Sequence, residues 1–161
     1  MLQAGTQAPE FTATLDDGSE FSLADVKGKQ NLVLYFYPRD FTQGCTKEAC
    51  SFRDNYDAIK RYDAIIVGVS RDGTERHAAF REKHDLPFPL IADRDGSLQA
   101  AYDVKGLLPF RTPRTTYVID KAGIIRAAMN HEFRIGWHVT DVVEALASIE
   151  GESQPAGSDS G

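Results

Sequence analysis

Residues 31–50 read NLVLYFYPRDFTQGCTKEAC, and this stretch decides the fold. Residues 31–37 are almost continuously apolar and aromatic, which is typical of a strand buried on both faces. Pro38 stops that strand, because proline has no N–H to donate to a sheet. From Cys45 onward the period changes to that of an amphipathic helix, whose apolar face holds Cys45, Ala49, Phe52, Tyr56 and Ile59. The pattern therefore predicts a central strand, a tight turn and a helix that begins near Cys45.

The segments on either side extend this core into an α/β protein. The Asp-Gly pair at residues 17–18, between two short alternating pieces, predicts an N-terminal β-hairpin. Downstream, hydrophobic patterns predict strands at 64–70, 90–92, 115–119 and 124–128, with helices at 74–84, 97–102 and 139–149. Strands 115–119 and 124–128 form a second hairpin, so the sheet contains antiparallel as well as parallel pairs. We expect a mixed central β-sheet flanked by helices.

A chain of 161 residues has the size of one domain. We place that domain at residues 1–150. Residues 151–161 contain glycine, serine, proline and acidic residues without a large apolar side chain, which predicts a disordered C-terminal tail.

Charge and hydropathy exclude several classes of protein. The net charge is −6, and acidic and basic residues alternate along the chain, so no basic face for nucleic acid is expected. No apolar run approaches the ~20 residues that span a bilayer, and the N-terminus lacks the pattern of a signal peptide. We therefore expect a cytoplasmic protein without a membrane partner. In that reducing compartment a cysteine pair is catalytic, redox-sensing or metal-binding more often than structural.

Cys45 stands at the predicted helix start, where unpaired backbone N–H groups and the helix dipole favour a thiolate over a thiol. Thr42 is placed to cap this helix, and its hydroxyl can also point at a sulfur or a bound oxygen. Pro38 holds the turn rigid and helps to shield the thiolate. A structural alternative stays open, because Cys45 shares the apolar face with Phe52, and free cysteine is often buried.

Cys50 raises a geometric problem for any disulfide with Cys45. Two residues five apart on an α-helix have Cα atoms roughly 8.6 Å apart, whereas a disulfide requires less than about 7 Å. If the two cysteines pair, the first turns of the helix must unwind, which couples oxidation to a local folding transition.

Metal chemistry is not expected. Two cysteines with histidines at positions 77, 84, 131 and 138 give no recognisable zinc spacing. We expect these histidines to be surface or helix-end groups, with a cysteine–histidine dyad involving His131 or His138 left open.

Residues 36–50 resemble the active-site segment of peroxiredoxins, in particular the bacterioferritin-comigratory protein (PrxQ) subfamily. The resemblance rests on the motif Pro-x-x-x-Thr-x-x-Cys, formed by Pro38, Thr42 and Cys45. The likeness continues at residues 52–54, 67–70, 89–93 and 114–120 and covers most of residues 5–150. It departs from many relatives at Gln43, where proline is expected, and at Phe41, where asparagine is common.

The resemblance implies a thioredoxin-like fold and the reduction of hydrogen peroxide or organic hydroperoxides, with electrons returned by thioredoxin or a similar dithiol. By position, Cys45 matches the peroxidatic cysteine, Pro38 and Thr42 its companions, Arg114 the active-site arginine and Cys50 the resolving cysteine. A guanidinium that stays charged and presents several donors suits this role. Without the resemblance, Arg39 and Arg111 would compete with Arg114.

We therefore predict a peroxidase in which a Cys45 sulfenic acid is resolved by Cys50. No cofactor is required, and an intramolecular pair removes any catalytic need for a dimer, so a monomer is expected. Two alternatives remain: a general thiol-disulfide oxidoreductase that uses the same thiolate, and a redox-sensing module in which oxidation of the pair remodels the helix.

Overall fold

The computed structural model describes residues 1–104, 114–130 and 135–153. Its seven strands are β1 (Thr12–Thr14), β2 (Glu20–Ser22), β3 (Asn31–Phe36), β4 (Ala64–Ser70), β5 (Leu90–Ala92), β6 (Thr115–Ile119) and β7 (Ile125–Asn130). The helices in these ranges are α1 (Gln43–Asp54), α2 (Tyr56–Lys60), α3 (Thr74–Lys83), α4 (Ser97–Ala101) and α5 (Ile135–Ser153). A short 3₁₀ turn, Leu23–Asp25, follows β2.

The central sheet has the strand order β5-β4-β3-β6-β7. Strand β3 pairs in parallel with β4 and antiparallel with β6, and β4 pairs in parallel with β5. Strand β7 adds an antiparallel edge beside β6. The prediction of an α/β fold with a mixed central sheet flanked by helices is confirmed.

Strand β3 is the middle of the sheet, and all six of its residues are buried. Because side chains alternate along a strand, Val33 and Tyr35 enter a core that includes residues of α1, α3 and α5. Leu34 and Phe36 enter a second core on the opposite face, beneath the N-terminal segment and α4. Burial on both faces accounts for the unbroken apolar run in this part of the sequence.

The N-terminal strand pair is present as predicted. Strands β1 and β2 pair antiparallel, with Ala13 opposite Phe21. Gly18 lies in the connecting turn at φ +87°, a left-handed conformation that costs glycine little. The carboxylate of Asp17 accepts hydrogen bonds from both the backbone N–H and the hydroxyl of Ser19.

The helix that contains Cys45 is interrupted earlier than its apolar pattern predicts. The pattern continues to Ile59, but the structure ends α1 at Asp54 and begins the separate helix α2 at Tyr56. Asn55 lies between them, and its side-chain amide donates to the carbonyl of Ser51 at 2.8 Å. Asparagine competes in this way with the helical hydrogen bonds, a local effect that the periodicity of apolar residues does not report.

The C-terminal helix α5 continues to Ser153, three residues beyond the boundary proposed from composition. Residues 154–161 lie outside the described part of the chain, so the domain boundary and the tail remain predictions. Among the helices within the described ranges, none is both long and apolar enough to cross a lipid bilayer.

Gly68 in β4 makes room for the aromatic packing that seats α1 on the sheet. A Cβ at this position would lie 2.8 Å from Cδ2 of Leu90 and 2.9 Å from the ring of Tyr35. The Tyr35 ring in turn packs on Phe52 of α1, with ring centroids 4.8 Å apart. Both neighbours of Gly68 are buried, so neither can move aside without displacing core atoms.

We predict that Gly68→Ala lowers the free energy of unfolding by about 1–3 kcal/mol, because an added methyl group overpacks this core. Gly151→Ala is the matched control, since a Cβ there has no heavy atom within 4 Å. Its helical position should leave stability unchanged or raise it by up to ~1 kcal/mol. Urea unfolding followed by circular dichroism measures both, and equal stabilities for the two variants would contradict the packing argument.

Candidate active site

The loop of residues 37–42 connects the central strand β3 to helix α1. Thr42 is the N-cap residue of α1, and its carbonyl accepts the N–H of Thr46 at 2.9 Å. Cys45 is the third residue of the helix, so its sulfur lies in the first turn, where backbone N–H groups lack intrahelical acceptors. The predicted position of Cys45 at a helix start is therefore confirmed.

The register of the sheet brings Arg114 to the same edge. Phe36, the last residue of β3, lies opposite Thr115, the first residue of β6. Because the two strands are antiparallel, the residue before β6 and the loop after β3 meet at one end of the sheet. Arg114 and Cys45 are 69 residues apart in sequence, yet they are in contact.

The contact is a buried hydrogen bond. Nη1 of Arg114 lies 3.1 Å from Sγ of Cys45 and 3.5 Å from Oε1 of Glu48. Cys45 is 1% exposed, Glu48 0% and Arg114 9%. A guanidinium in such a poorly solvated place interacts far more strongly with an anion than it would in water. The arrangement can therefore stabilise Cys45 as a thiolate while Glu48 balances the charge of the arginine.

Glu48 was not among the site residues predicted from the sequence. The structure places it beyond the first turn, fully buried and ion-paired with Arg114. A carboxylate is almost never buried without such a partner. The sequence did contain a signal that Glu48 belongs to the site. Glu48 follows Cys45 by three residues, and residues three apart on a helix share one face.

Of the two competing arginines, Arg39 can be compared with Arg114. Arg39 is exposed, and Arg111 lies outside the described residues. Pro38 and Thr42, the two loop residues predicted beside the sulfur, both lie in the connection between β3 and α1. Pro38 is half-buried just after β3, whereas the hydroxyl of Thr42 does not cap α1 and instead donates to the carbonyl of Arg39 at 3.0 Å. The expected side-chain cap was wrong, because this hydroxyl closes the loop on itself.

Asp40 anchors the middle of the loop to the rest of the protein. Its side chain is fully buried, with Oδ1 accepting from the hydroxyl of Tyr37 at 2.5 Å and Oδ2 lying 2.5 Å from Nδ1 of His77. The backbone of Asp40 is held as well: its N–H donates to Asp72 at 2.7 Å, and its carbonyl accepts from Arg76 at 3.0 Å. These contacts fix the loop that precedes Cys45 to helix α3.

The donors and acceptors in this network determine where its protons lie. Nε2 of His77 lies 2.9 Å from the carbonyl of Ile91, which can only accept, so Nε2 carries a hydrogen. One further proton must then lie between Nδ1 and Asp40, since two bare acceptors at 2.5 Å would repel each other. Burial, assisted by Tyr35 and Asp40, raises the pKa of Tyr37 well above its ordinary value, so its hydroxyl remains a donor.

The prediction that the histidines are surface or helix-end groups was wrong for His77, which is 0% exposed. His84 is the C-cap residue of α3, as expected of a helix-end group. The side chains of His131 and His138 lie outside the described part. Asp40, Asp72 and His77 bring three possible metal ligands within 4.8 Å. Their facing atoms are already hydrogen-bonded to one another or to protein donors, which makes the cluster a structural network.

Phe41 follows Asp40 with φ +64°, a conformation that costs energy for a residue with a side chain. Phe41 is 38% exposed, and its ring packs edge-on against that of Phe80, with centroids 5.1 Å apart. The guanidinium carbon of Arg76 lies 5.2 Å from the ring centroid. These contacts to α3 offset the backbone strain and add to the anchoring of the loop.

Cys50 is the eighth residue of α1 and half-buried, and its thiol is free, as is that of Cys45. Helix α1 is continuous from Gln43 to Asp54. In this conformation the two cysteines have the helical separation that forbids a disulfide.

Comparison with known proteins identifies the family. The AhpC/TSA family model matches residues 4–128. The chain belongs to the AhpC/TSA family. A putative peroxiredoxin Bcp of Coxiella burnetii is 38% identical over 156 residues, covering 90% of this chain and 99% of the relative. This AhpC/TSA member is a peroxiredoxin of the Bcp or PrxQ kind, as its active-site segment indicates.

Solved structures of similar proteins agree with this family assignment. The crystal structure of peroxidoxin BcpB from Mycobacterium tuberculosis matches with a TM-score of 0.87 and 32% identity, covering 92% of this chain and 99% of the other. A structure of the bacterioferritin comigratory protein of Xanthomonas campestris, a protein with alkyl peroxide reduction activity, matches with a TM-score of 0.79. Its identity is 30%, over 86% of this chain and 90% of the other. The predicted thioredoxin-like fold is confirmed, and as a peroxiredoxin the protein is a thiol-dependent peroxidase.

We predict that Asp40→Ala lowers the free energy of unfolding by about 3 kcal/mol or more, because it leaves His77 without its buried partner. Asp40→Asn should cost only about 1 kcal/mol, since an amide can donate to a neutral imidazole and still accept from Tyr37. Glu144→Ala, at an exposed position of α5, should change stability by less than about 0.5 kcal/mol. Denaturant unfolding measures all three, and an Asp40→Ala variant as stable as Glu144→Ala would contradict the anchoring role.

Proposed function

We propose that Cys45 is the peroxidatic cysteine of this peroxidase and that Cys50 resolves it through an intramolecular disulfide. Arg114 stabilises the reacting charges, while Pro38 and Thr42 shape the pocket. The substrates are hydrogen peroxide and organic hydroperoxides, and thioredoxin or a similar dithiol restores the thiols. The observation that carries this proposal is the 3.1 Å contact between Nη1 of Arg114 and Sγ of Cys45.

Burial of the sulfur favours a small substrate. Cys45 is 1% exposed, so the disulfide of a folded protein cannot approach its sulfur while α1 stays intact. A peroxide is far smaller and needs much less access to the sulfur. This observation argues against a general thiol-disulfide oxidoreductase, in which the attacking sulfur must meet a disulfide on another protein.

In the first step the Cys45 thiolate attacks one peroxide oxygen. The S–O bond forms as the O–O bond breaks, and the leaving oxygen takes a proton to become water or an alcohol. Cys45 becomes a sulfenic acid. Arg114 can donate to the peroxide as negative charge develops on the leaving oxygen, the stage at which electrostatic stabilisation accelerates a reaction most.

Thr42 has a supporting role that follows from its resting hydrogen bond. Its hydroxyl hydrogen is directed to the carbonyl of Arg39, which leaves the oxygen lone pairs free to accept a hydrogen bond. A hydroperoxide carries one O–H donor at its terminal oxygen. Acceptance by Thr42 and donation by Arg114 would together orient the O–O bond toward Cys45.

In the second step the first turns of α1 unwind and Cys50 attacks the Cys45 sulfenic acid. An S–S bond forms and water leaves, after which an external dithiol reduces the disulfide and becomes oxidised itself. The Xanthomonas campestris relative, described by its alkyl peroxide reduction, supports organic hydroperoxides as substrates. Both thiols belong to one helix, so a monomer suffices for the cycle, and the cytoplasm, which keeps thiols reduced, suits it.

A pair of serine variants tests this function. In assays with hydrogen peroxide or cumene hydroperoxide and a thioredoxin system, Cys45→Ser should lose peroxide consumption, by at least about 10³-fold, because the nucleophile is gone. Cys50→Ser should consume about one equivalent of peroxide and retain a trappable sulfenic acid. A non-reducing peptide map of the oxidised parent should contain the Cys45–Cys50 linkage.

Peroxide turnover by Cys45→Ser at the parent rate would overturn the assignment of the nucleophile. An oxidised parent that lacks the Cys45–Cys50 linkage but retains turnover would overturn the assignment of Cys50 alone.

A further inference from the structure

His84 contacts the sulfur that is proposed to resolve the sulfenic acid. Nδ1 of His84 lies 3.9 Å from Sγ of Cys50, within hydrogen-bond distance for sulfur, although the residues are 34 apart in sequence. Both side chains are half-buried. The contact joins α1 to the end of α3, and the first step of the reaction makes no use of it.

The imidazole is held in place from two sides. Nη1 of Arg53 donates to the backbone carbonyl of His84 at 2.7 Å, which ties the end of α3 to α1. The ring of Phe80 packs against the imidazole at a tilt of 68°, with centroids 5.1 Å apart, and the Phe41 ring lies 6.5 Å away. The position of His84 beside Cys50 is therefore built by contacts independent of the cysteine.

We propose that His84 is the catalytic base for Cys50 in the resolving step. This inference rests on the proposed function. A free cysteine is only a few per cent ionised at pH 7, and the thiolate is the nucleophile in disulfide formation. Nδ1 of His84 takes the thiol proton, and the Cys50 sulfur then attacks Sγ of Cys45. The S–O bond breaks as the S–S bond forms, and the departing hydroxide takes a proton from the imidazolium to leave as water.

The proposed proton transfer requires this contact to persist while the helix between Cys45 and Cys50 opens. Only the helix between Cys45 and Cys50 must open to bring the two sulfurs together. Arg53, which binds the carbonyl of His84, is three residues beyond Cys50, and the neighbouring Phe52 is fully buried in the core. The tether thus lies downstream of the moving segment, and Cys50 stays at the fixed end beside the imidazole.

The charges around His84 are balanced. Arg53 approaches from α1 and is paired with Asp54 at 3.0 Å, while Lys83 and Asp85 flank His84 in the chain. The hydrogen bond to Asp54 raises the pKa of Arg53, and the nearby Cys50 acts in the same direction, so the guanidinium stays charged throughout the working pH range. A fixed cation beside Cys50 supports the thiolate that His84 generates.

The test separates the two steps of the oxidation. Rapid-quench samples, treated with dimedone and an alkylating agent and analysed by mass spectrometry, count the Cys45 sulfenic acid and the Cys45–Cys50 disulfide separately. In His84→Gln we expect sulfenic acid formation within about twofold of the parent, and conversion to disulfide at least about tenfold slower at pH 7. The pH dependence of the conversion rate should also differ from that of the parent, because the group that accepts the thiol proton is gone.

Lys83→Gln is the matched control, since it removes a neighbouring charge without touching Cys50, and it should resolve at the parent rate. His84→Gly provides a second variant, in which added imidazole should restore the resolving rate because the site is half-exposed. Unchanged formation of sulfenic acid in each variant serves as the internal check that α1 and the pocket remain folded.

Resolution by His84→Gln at the parent rate with the parent pH profile would overturn the inference and leave the proposed function intact. A slow His84→Gly variant that imidazole fails to restore would also contradict a role in proton transfer. If the parent itself forms no Cys45–Cys50 disulfide, the pairing within the proposed function fails, and the role of His84 fails with it.

Discussion

The contact between the Cys45 sulfur and the Arg114 guanidinium is the constraint on which the rest of the site depends. The two groups are 3.1 Å apart in a place where water is almost excluded. A buried arginine requires an anion, and Glu48 supplies one at 3.5 Å. The sulfur is nearer to the guanidinium than this carboxylate is, and it also lies in the first turn of a helix, so a thiolate there is stabilised from two directions.

Both ends of the segment that contains Cys45 and Cys50 are tied to helix α3. Asp40 and His77 fix the loop before Cys45 to α3, and Arg53 fixes the end of α1 to the same helix. Between these anchors lies the segment that would unwind in the proposed resolving step. Because the segment is fixed at both ends, the helix between the two cysteines could unwind in the proposed step without disturbing the central sheet.

Much of this arrangement was predictable. The buried run in β3 and the change to helical spacing near Cys45 gave the strand, the turn and the helix, and the family pattern pointed to Arg114. The burial of Glu48 and His77 was missed, because both look like surface residues until the fold buries them, although its spacing from Cys45 placed Glu48 on the same helix face. Asn55 and Thr42 were misjudged for a different reason: their side chains bind local carbonyls, and a sequence pattern does not say which hydrogen bond wins.

The central claim is that Arg114 activates Cys45 electrostatically. Its most direct test is the second-order rate constant for formation of the Cys45 sulfenic acid in Arg114→Gln, with Arg39→Gln as the matched control because Arg39 is exposed. The account predicts a loss of about 10²-fold or more for Arg114→Gln and a rate within about twofold of the parent for the control. Equal rates for the two variants, in proteins that fold with the same stability, would contradict it.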